Sequence, residues 1–293
     1  MSARGRTEWP VCAMRIWPAA FAFVSLLLCT GISAPKAAEE SLDEISRKLD
    51  NPLTSLWSLT LEDKFRIQDG DAVEGTTTAN TLFFQPGMPI PFGEGKDKVF
   101  ITRPVFPLVT SPVLDPDGVA GHETGLGDIQ FLSLAGPNRM EGLVWGAGAT
   151  FKFPTASEDI LGAGKYQAGP AVMLFRFPRP WTIGTLVQHW WSYAGDDDRP
   201  ETNETNIQYV IRYALPKAWS VGMGPTISVD WEADEDNRWT VPVGLGLTKT
   251  ARIGKTPVKF RAEVHYAVIR PETFGTEWTF LFRAAPVIPS PFR

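Results

Sequence analysis

The feature that most constrains this chain is a long, strict alternation of side-chain character. Between Trp219 and Trp231, the residues Trp219, Val221, Met223, Pro225, Ile227, Val229 and Trp231 alternate with Ser220, Gly222, Gly224, Thr226, Ser228 and Asp230. A period of two places the first set on one face of an extended strand and the second on the other. The next run sets Trp239, Val241, Val243, Leu245 and Leu247 against Thr240, Pro242, Gly244, Gly246 and Thr248. A third sets Val258, Phe260, Ala262, Val264, Tyr266 and Val268 against Lys259, Arg261, Glu263 and His265. Strands of soluble sheets run about five or six residues, whereas about 9 to 11 tilted residues cross the hydrocarbon layer of a bilayer, with aromatic girdles at both interfaces. Length and end-placed Trp therefore point to lipid on the apolar face.

The start of the chain reads as a cleaved export signal, residues 1–38. Arg4, Arg6 and Arg15 precede an apolar run from Ala19 to Leu28, and small residues follow it. That run is too short to span a bilayer as a helix, and no later stretch has the 18 or so apolar residues that a span requires. Both cysteines, Cys12 and Cys29, fall inside the signal, which excludes disulfide and thiolate-metal chemistry from the mature chain. Loss of the signal removes four basic residues and one acidic one, moving the formal charge from −5 to −8. An acidic mature chain argues against a nucleic-acid partner. No cofactor and no metal site is expected.

A short polar segment, residues 39–51, precedes a barrel expected over 52–293. Twelve strands are placed at 54–67, 76–86, 98–109, 125–135, 142–153, 164–176, 181–194, 206–215, 218–231, 238–249, 257–270 and 275–287. The fold class is therefore all-β, a transmembrane antiparallel barrel of about 12 strands. The connections support the count. Those after odd-numbered strands carry acid, for example Asp69, Asp71 and Glu74, or Asp196, Asp197, Asp198, Glu201 and Glu204, while the others are short and tilt basic. Barrels of the outer membrane have long loops outside and tight turns on the periplasmic side.

Prolines at 104, 107, 170, 225 and 242 remove ladder donors, so bulges or bends are expected there. Strands two and three have no clean lipid face, because Leu82, Phe83 and Phe84 are consecutive, as are Val99, Phe100 and Ile101.

The segments Thr124-Gly125-Leu126-Gly127-Asp128, Leu161-Gly162 leading to Gly169-Pro170, and Asn80-Thr81-Leu82 with Pro89-Ile90-Pro91 resemble those of the meta-pathway of phenol degradation family, some of whose members carry the label neuromedin U. The resemblance covers the chain from about residue 52 to its end. It implies a porin-like or transporter-like outer-membrane barrel associated with uptake of hydrophobic or aromatic compounds.

If the apolar set faces lipid, the other set lines the interior. Those positions are Glu62, Lys64 and Arg66; Asp128 and Gln130; Lys152; Lys165 and Gln167; Gln188 and Trp190; Gln208 and Arg212; Asp230; Lys259, Arg261, Glu263 and His265; and Arg283. They suit a polar passage whose charges set selectivity, with Trp190, Met173, Phe175 and Leu281 adding apolar contact. They equally suit ion pairs that fill a narrow barrel, since eight strands fill with side chains and sixteen leave a channel. His265 beside Glu263 raises a hydrolase alternative, yet no serine nucleophile is visible and the expectation is of no enzyme. The Asp196–Asp198 run lacks the spaced ligands of a calcium loop and reads as a solvated acidic loop.

The function expected is passive uptake of small hydrophobic or aromatic solutes across the outer membrane of a Gram-negative bacterium. Partners are membrane lipid, the solute and the barrel-assembly machinery. A lipid hydrolase or a soluble periplasmic barrel binding an apolar ligand are the alternatives. Arginine placed at Val243 or Val264 should hinder assembly, whereas at Gly244 or Ser228 it should alter passage alone.

Overall fold

The computed structural model describes residues 41–290, apart from 52, 53, 55, 117, 140 and 289. The expected signal, residues 1–38, lies outside the described residues. One short helix, α1 (Leu42–Lys48), precedes fourteen strand segments. These are β1 (Trp57–Asp69), β2 (Thr77–Phe92), β3 (Lys98–Asp115), β4 (Gly118–Leu126), β5 (Ile129–Pro137), β6 (Leu143–Phe153) and β7 (Lys165–Arg176). They continue as β8 (Trp181–Gly195), β9 (Asn203–Leu215), β10 (Trp219–Met223), β11 (Thr226–Asp230), β12 (Trp239–Ile253), β13 (Thr256–Ile269) and β14 (Gly275–Ile288).

All pairings are antiparallel, and β1 pairs with β14, for example Phe65 with Phe280, so the sheet closes on itself. Two staves of the barrel are interrupted. The lower part of β3 pairs with β5 and its upper part with β4, and β10 and β11 together fill the place between β9 and β12. Fourteen segments thus make twelve staves. Closure leaves no sheet edge to be satisfied in lipid.

Strand prolines coincide with most of the irregularities. Pro225 lies in the gap between β10 and β11. A register shift falls between Val241 and Pro242, and the β7–β8 ladder skips Pro170. Pro107 marks the switch from β5 to β4, where its carbonyl accepts the Gly127 N–H at 2.9 Å. Pro104 pairs with Phe131 on the β5 side, but the β2–β3 ladder skips it, with a gap between Thr102 and Phe106.

Turns of two to five residues join the strands at the end that holds both chain termini, called here the turn end. Connections at the opposite, loop end run from five to eleven residues, with one exception. The connection after strand three was expected to be an acidic loop; instead β3 and β4 continue as a hairpin, so that Asp115 ends a strand and Glu123 pairs with Ser111.

The outward side chains form an apolar belt with aromatic girdles. Trp145, Trp181 and Trp219 stand out at the turn end, and Trp191, Trp231, Trp239 and Trp278 at the loop end. Between them lie residues such as Phe282 at 58% exposure and Leu245 at 63%. So much exposed apolar surface in one band is the mark of a lipid-facing wall. No helix among the described residues is long and apolar enough to cross a membrane.

Strands two and three lacked a lipid face in the sequence for a physical reason that the structure supplies. On β3 the even positions Phe100, Phe106 and Leu108 look outward, while Val99, Ile101 and Val105 look inward and are buried. Val99 and Ile101 join Leu132, Leu134, Val144, Met173, Phe175, Leu186 and Val210 in one apolar cluster inside the barrel. Where both faces are apolar, no alternation survives.

Helix α1 begins at Ser41, whose side chain accepts the Glu44 N–H, with Asp43 and Glu44 in its first turn and Arg47 and Lys48 in its last. Those placements satisfy an end donor and complement the helix dipole. The segment then crosses the turn end of the barrel. Asp43 accepts the Ala218 N–H at 2.8 Å in the β9–β10 turn, and the Asn51 amide donates to the Arg139 carbonyl in the β5–β6 turn on the far side.

Candidate functional site

The interior is built by register. Each inward residue faces an inward residue on the next strand, so Glu62 stands opposite Arg283 and Arg261 opposite Arg283. Two walls result. The staves from β3 to β9 present the apolar cluster described above. The staves β13, β14 and β1 present charge, joined by Arg212 from β9 and Arg103 from β3.

Glycine makes this charged wall possible. Gly246 stands on an inward position of β12, and Gly224 lies in the gap between β10 and β11. A Cβ at Gly246 would lie 2.4 Å from Cγ of Glu263, and one at Gly224 would lie 2.9 Å from a terminal nitrogen of Arg212. With no side chains there, Arg212 and Glu263 lie flat against the strands between them and meet at 2.6 Å.

Glu263, 3% exposed, is the centre of one network. Its carboxylate accepts from Arg212, from the Gly224 N–H at 3.0 Å and pairs with His265 at 2.9 Å, and the Arg261 Nε lies 3.4 Å away. Glu62 is the second centre, paired with Arg283 and, at 3.4 Å, with Lys64. The third is Asp50, which comes from the N-terminal segment. It pairs with Lys259 at 2.5 Å and lies 4.0 Å from Arg212, while Lys259 also donates to the Ser46 carbonyl at 3.0 Å. Arg66 donates to the Thr81 hydroxyl at 2.6 Å. Arg103 makes no ion pair or hydrogen bond among the described residues, and its Nε, like those of Arg66 and Arg261, is buried without a hydrogen-bond partner.

The inner wall therefore sets seven cations, Lys64, Arg66, Arg103, Arg212, Lys259, Arg261 and Arg283, against three carboxylates, Asp50, Glu62 and Glu263. Each carboxylate serves two cations. Burying charge is costly unless it is paired, so an excess of this size bears on what the interior can hold.

Nearer the loop end, the cations of β6 and β7 are paired. Lys152 pairs with Glu204 and stacks 4.4 Å from the Trp190 ring, and Lys165 pairs with Glu201 at 2.8 Å. Gln188 donates to the Thr150 hydroxyl. Trp190, 1% exposed, leaves its Nε1 without a partner, and both polar atoms of neighbouring Gln167 are likewise unpaired.

Of the residues expected on the inner face, one is placed otherwise. Asp128 falls in the gap between β4 and β5, where its carboxylate accepts the N–H groups of Thr155, Ala156 and Ala163 and pins the β6–β7 connection. Asp230 keeps its inward register opposite Glu204 but lies at the exposed loop-end rim, where it accepts the Glu232 N–H. The others, including Gln130, stand on inward positions. Sequence reasoning missed Arg103, which sits in the run without alternation, and Asp50, which lies outside any strand. No group of three His, Cys, Asp or Glu that could hold a metal occurs among the described residues.

With this geometry in hand, the comparison with solved structures is informative. The COG4313 outer membrane channel from Pseudomonas putida F1 superposes with a TM-score of 0.64 at 12% identity, covering 80% of this chain and 96% of that one. The match is to the fold. The β domain of the Bordetella autotransporter BrkA also aligns, at a TM-score of 0.41 and 13% identity over 78% of this chain and 98% of its own, which is too distant to carry an argument. No family model and no curated protein matches the sequence.

Proposed function

We propose that this protein is an outer-membrane passage for small hydrophobic or aromatic solutes. The observation that carries the reading is the two-walled interior: an apolar cluster of Val, Ile, Leu, Met and Phe on one side, where a water-filled porin would be polar throughout. An apolar solute gains from such a wall what it loses on leaving lipid. The segment across the turn end, tied at Ala218, Lys259 and Arg139, restricts free diffusion of sugars and ions. The channel described for Pseudomonas putida shares the architecture, and the sequence resemblance to the phenol-degradation family points the same way.

The test is uptake into vesicles with a lipopolysaccharide outer leaflet. 1-Naphthol should enter faster than into protein-free vesicles, while arabinose swelling stays near background. Rapid arabinose entry with no gain for naphthol would overturn the reading.

The hydrolase reading rests on the Glu263–His265 contact at 2.9 Å. Glu263 is committed to Arg212 and to the Gly224 N–H, and no hydroxyl bonds His265 among the described residues, so the pair reads as part of the wall. Ester cleavage that is lost in His265→Ala while naphthol uptake persists would favour the enzyme.

A further inference from the structure

We propose that the charged wall holds an oxyanion site, and that the passage favours solutes with a carboxylate head on an apolar body. This rests on the passage reading and names its substrate class. A cavity of about 70 Å³ opens on the inner wall at the turn end. Lys259, Arg261 and Arg283 line it together with the hydroxyls of Ser58 and Thr60, and Leu49 closes one side. No carboxylate lines it. The space fits a few waters or one oxyanion.

The donors have capacity left. Lys259 has three N–H bonds and uses two, on Asp50 and the Ser46 carbonyl. The Arg261 Nε has no hydrogen-bond partner, and its nearest carboxylate, Glu263, is shared with Arg212. Arg283 shares Glu62 with Lys64. Arg103 interacts electrostatically with both Glu62 and Arg283 and has no carboxylate of its own. The wall as a whole exceeds its own anions by four positive charges, in surroundings where an uncompensated charge is costly. An anion supplied from outside completes it, and guanidinium groups present paired donors that match a carboxylate.

The body of that anion would pack on the apolar residues of the same half. Val99, Ile101, Leu134, Met173 and Phe175 lie in the turn-end half of the interior, as Lys259 and Arg283 do, buried beyond the residues that line the cavity. A free sulfate or phosphate would use the cations alone. An aromatic or aliphatic acid would use both walls.

Calorimetry on the detergent-solubilised protein, with 1-naphthoate, 1-naphthol, 1-naphthylmethylamine, acetate and sulfate, reads the site directly. The expected result is naphthoate binding at least tenfold tighter than the alcohol or the amine, and tighter than acetate. Arg261→Gln should lower naphthoate affinity about tenfold, the scale of a lost charge-assisted hydrogen bond, and leave naphthol unchanged. Arg283→Gln, with Arg283→Lys as partial rescue, gives a second reading if the first variant fails to show heat-modifiable migration. Acetate and sulfate binding as tightly as naphthoate would retain the oxyanion site and overturn the amphipathic substrate. Equal affinity for acid, alcohol and amine would overturn the site while leaving naphthol uptake, and the passage reading, intact. Naphthoate binding with no uptake of any solute would sink the passage and spare the site.

Discussion

Single atoms decide how the inner wall is made. A β-carbon at Gly246 would sit 2.2 Å from the Ala262 carbonyl oxygen and 2.4 Å from Cγ of Glu263, so Gly246→Val should displace Glu263 and cost about 1 to 3 kcal/mol, the range for overpacking. A lowered unfolding midpoint in urea, with Leu245→Val nearly neutral beside it, checks this. The same geometry corrects an expectation from sequence. Arginine at Gly244 cannot act on passage alone, because even a Cβ there would meet the Val264 carbonyl oxygen at 2.3 Å and His265 at 2.4 Å. At the loop end, Glu201 is held below the usual carboxylate range, chiefly because the Lys165 ammonium donates to it and also because the Ser192 hydroxyl does. A carboxylate lowered by folding stabilises its contacts above its ordinary value of 4.5 and loses them as pH falls through the lowered one. The connection between β8 and β9 should therefore resist pepsin at pH 4.5 and become cleavable as the pH is lowered further, with Glu201→Gln equally cleavable throughout.

Among the elements, legibility followed contrast between the two faces of a strand. β12 and β13 could be read directly, because Leu245 and Val264 look to lipid while Gly246 and Glu263 look inward, and each pair differs in chemistry. β3 could not, because Val99 and Ile101 face the interior as apolar residues beside the outward Phe100. The break at Pro225 and the shift at Pro242 were visible as prolines, since a missing donor has no place in a regular ladder. The hairpin extension of β3 and β4 was hidden, because its acidic residues look like those of a loop. Arg103 was lost with β3, and with it one of the surplus charges. Where the faces were legible, the prediction is firm: Val264→Arg should cost about 2 to 4 kcal/mol at the bilayer midplane, seen as delayed folding into vesicles. Thr279→Glu, on an inward position between Arg66 and His265, should fold at the normal rate.

For the whole molecule, the closed ladder and the N-terminal segment play different parts. The ladder is satisfied internally by β1 on β14 and needs nothing from α1. Removal of residues 41–51 should leave heat-modifiable migration unchanged and raise single-channel conductance several-fold; an unaltered conductance would mean that the segment does not restrict the opening. That restriction was not legible in the sequence, where residues 39–51 read only as a polar stretch. Its anchors, Ala218, Lys259 and Arg139, are distant in the chain and meet it only once the barrel has closed.

Asp50 belongs to that segment and not to the barrel, although it balances Lys259 and lies close to Arg212. One movement would therefore widen the throat and, by withdrawing a negative charge, leave its lining more positive. Size and electrostatic character are coupled to a single lever, so a solute that displaces the segment meets a stronger attraction for anions than the resting barrel offers.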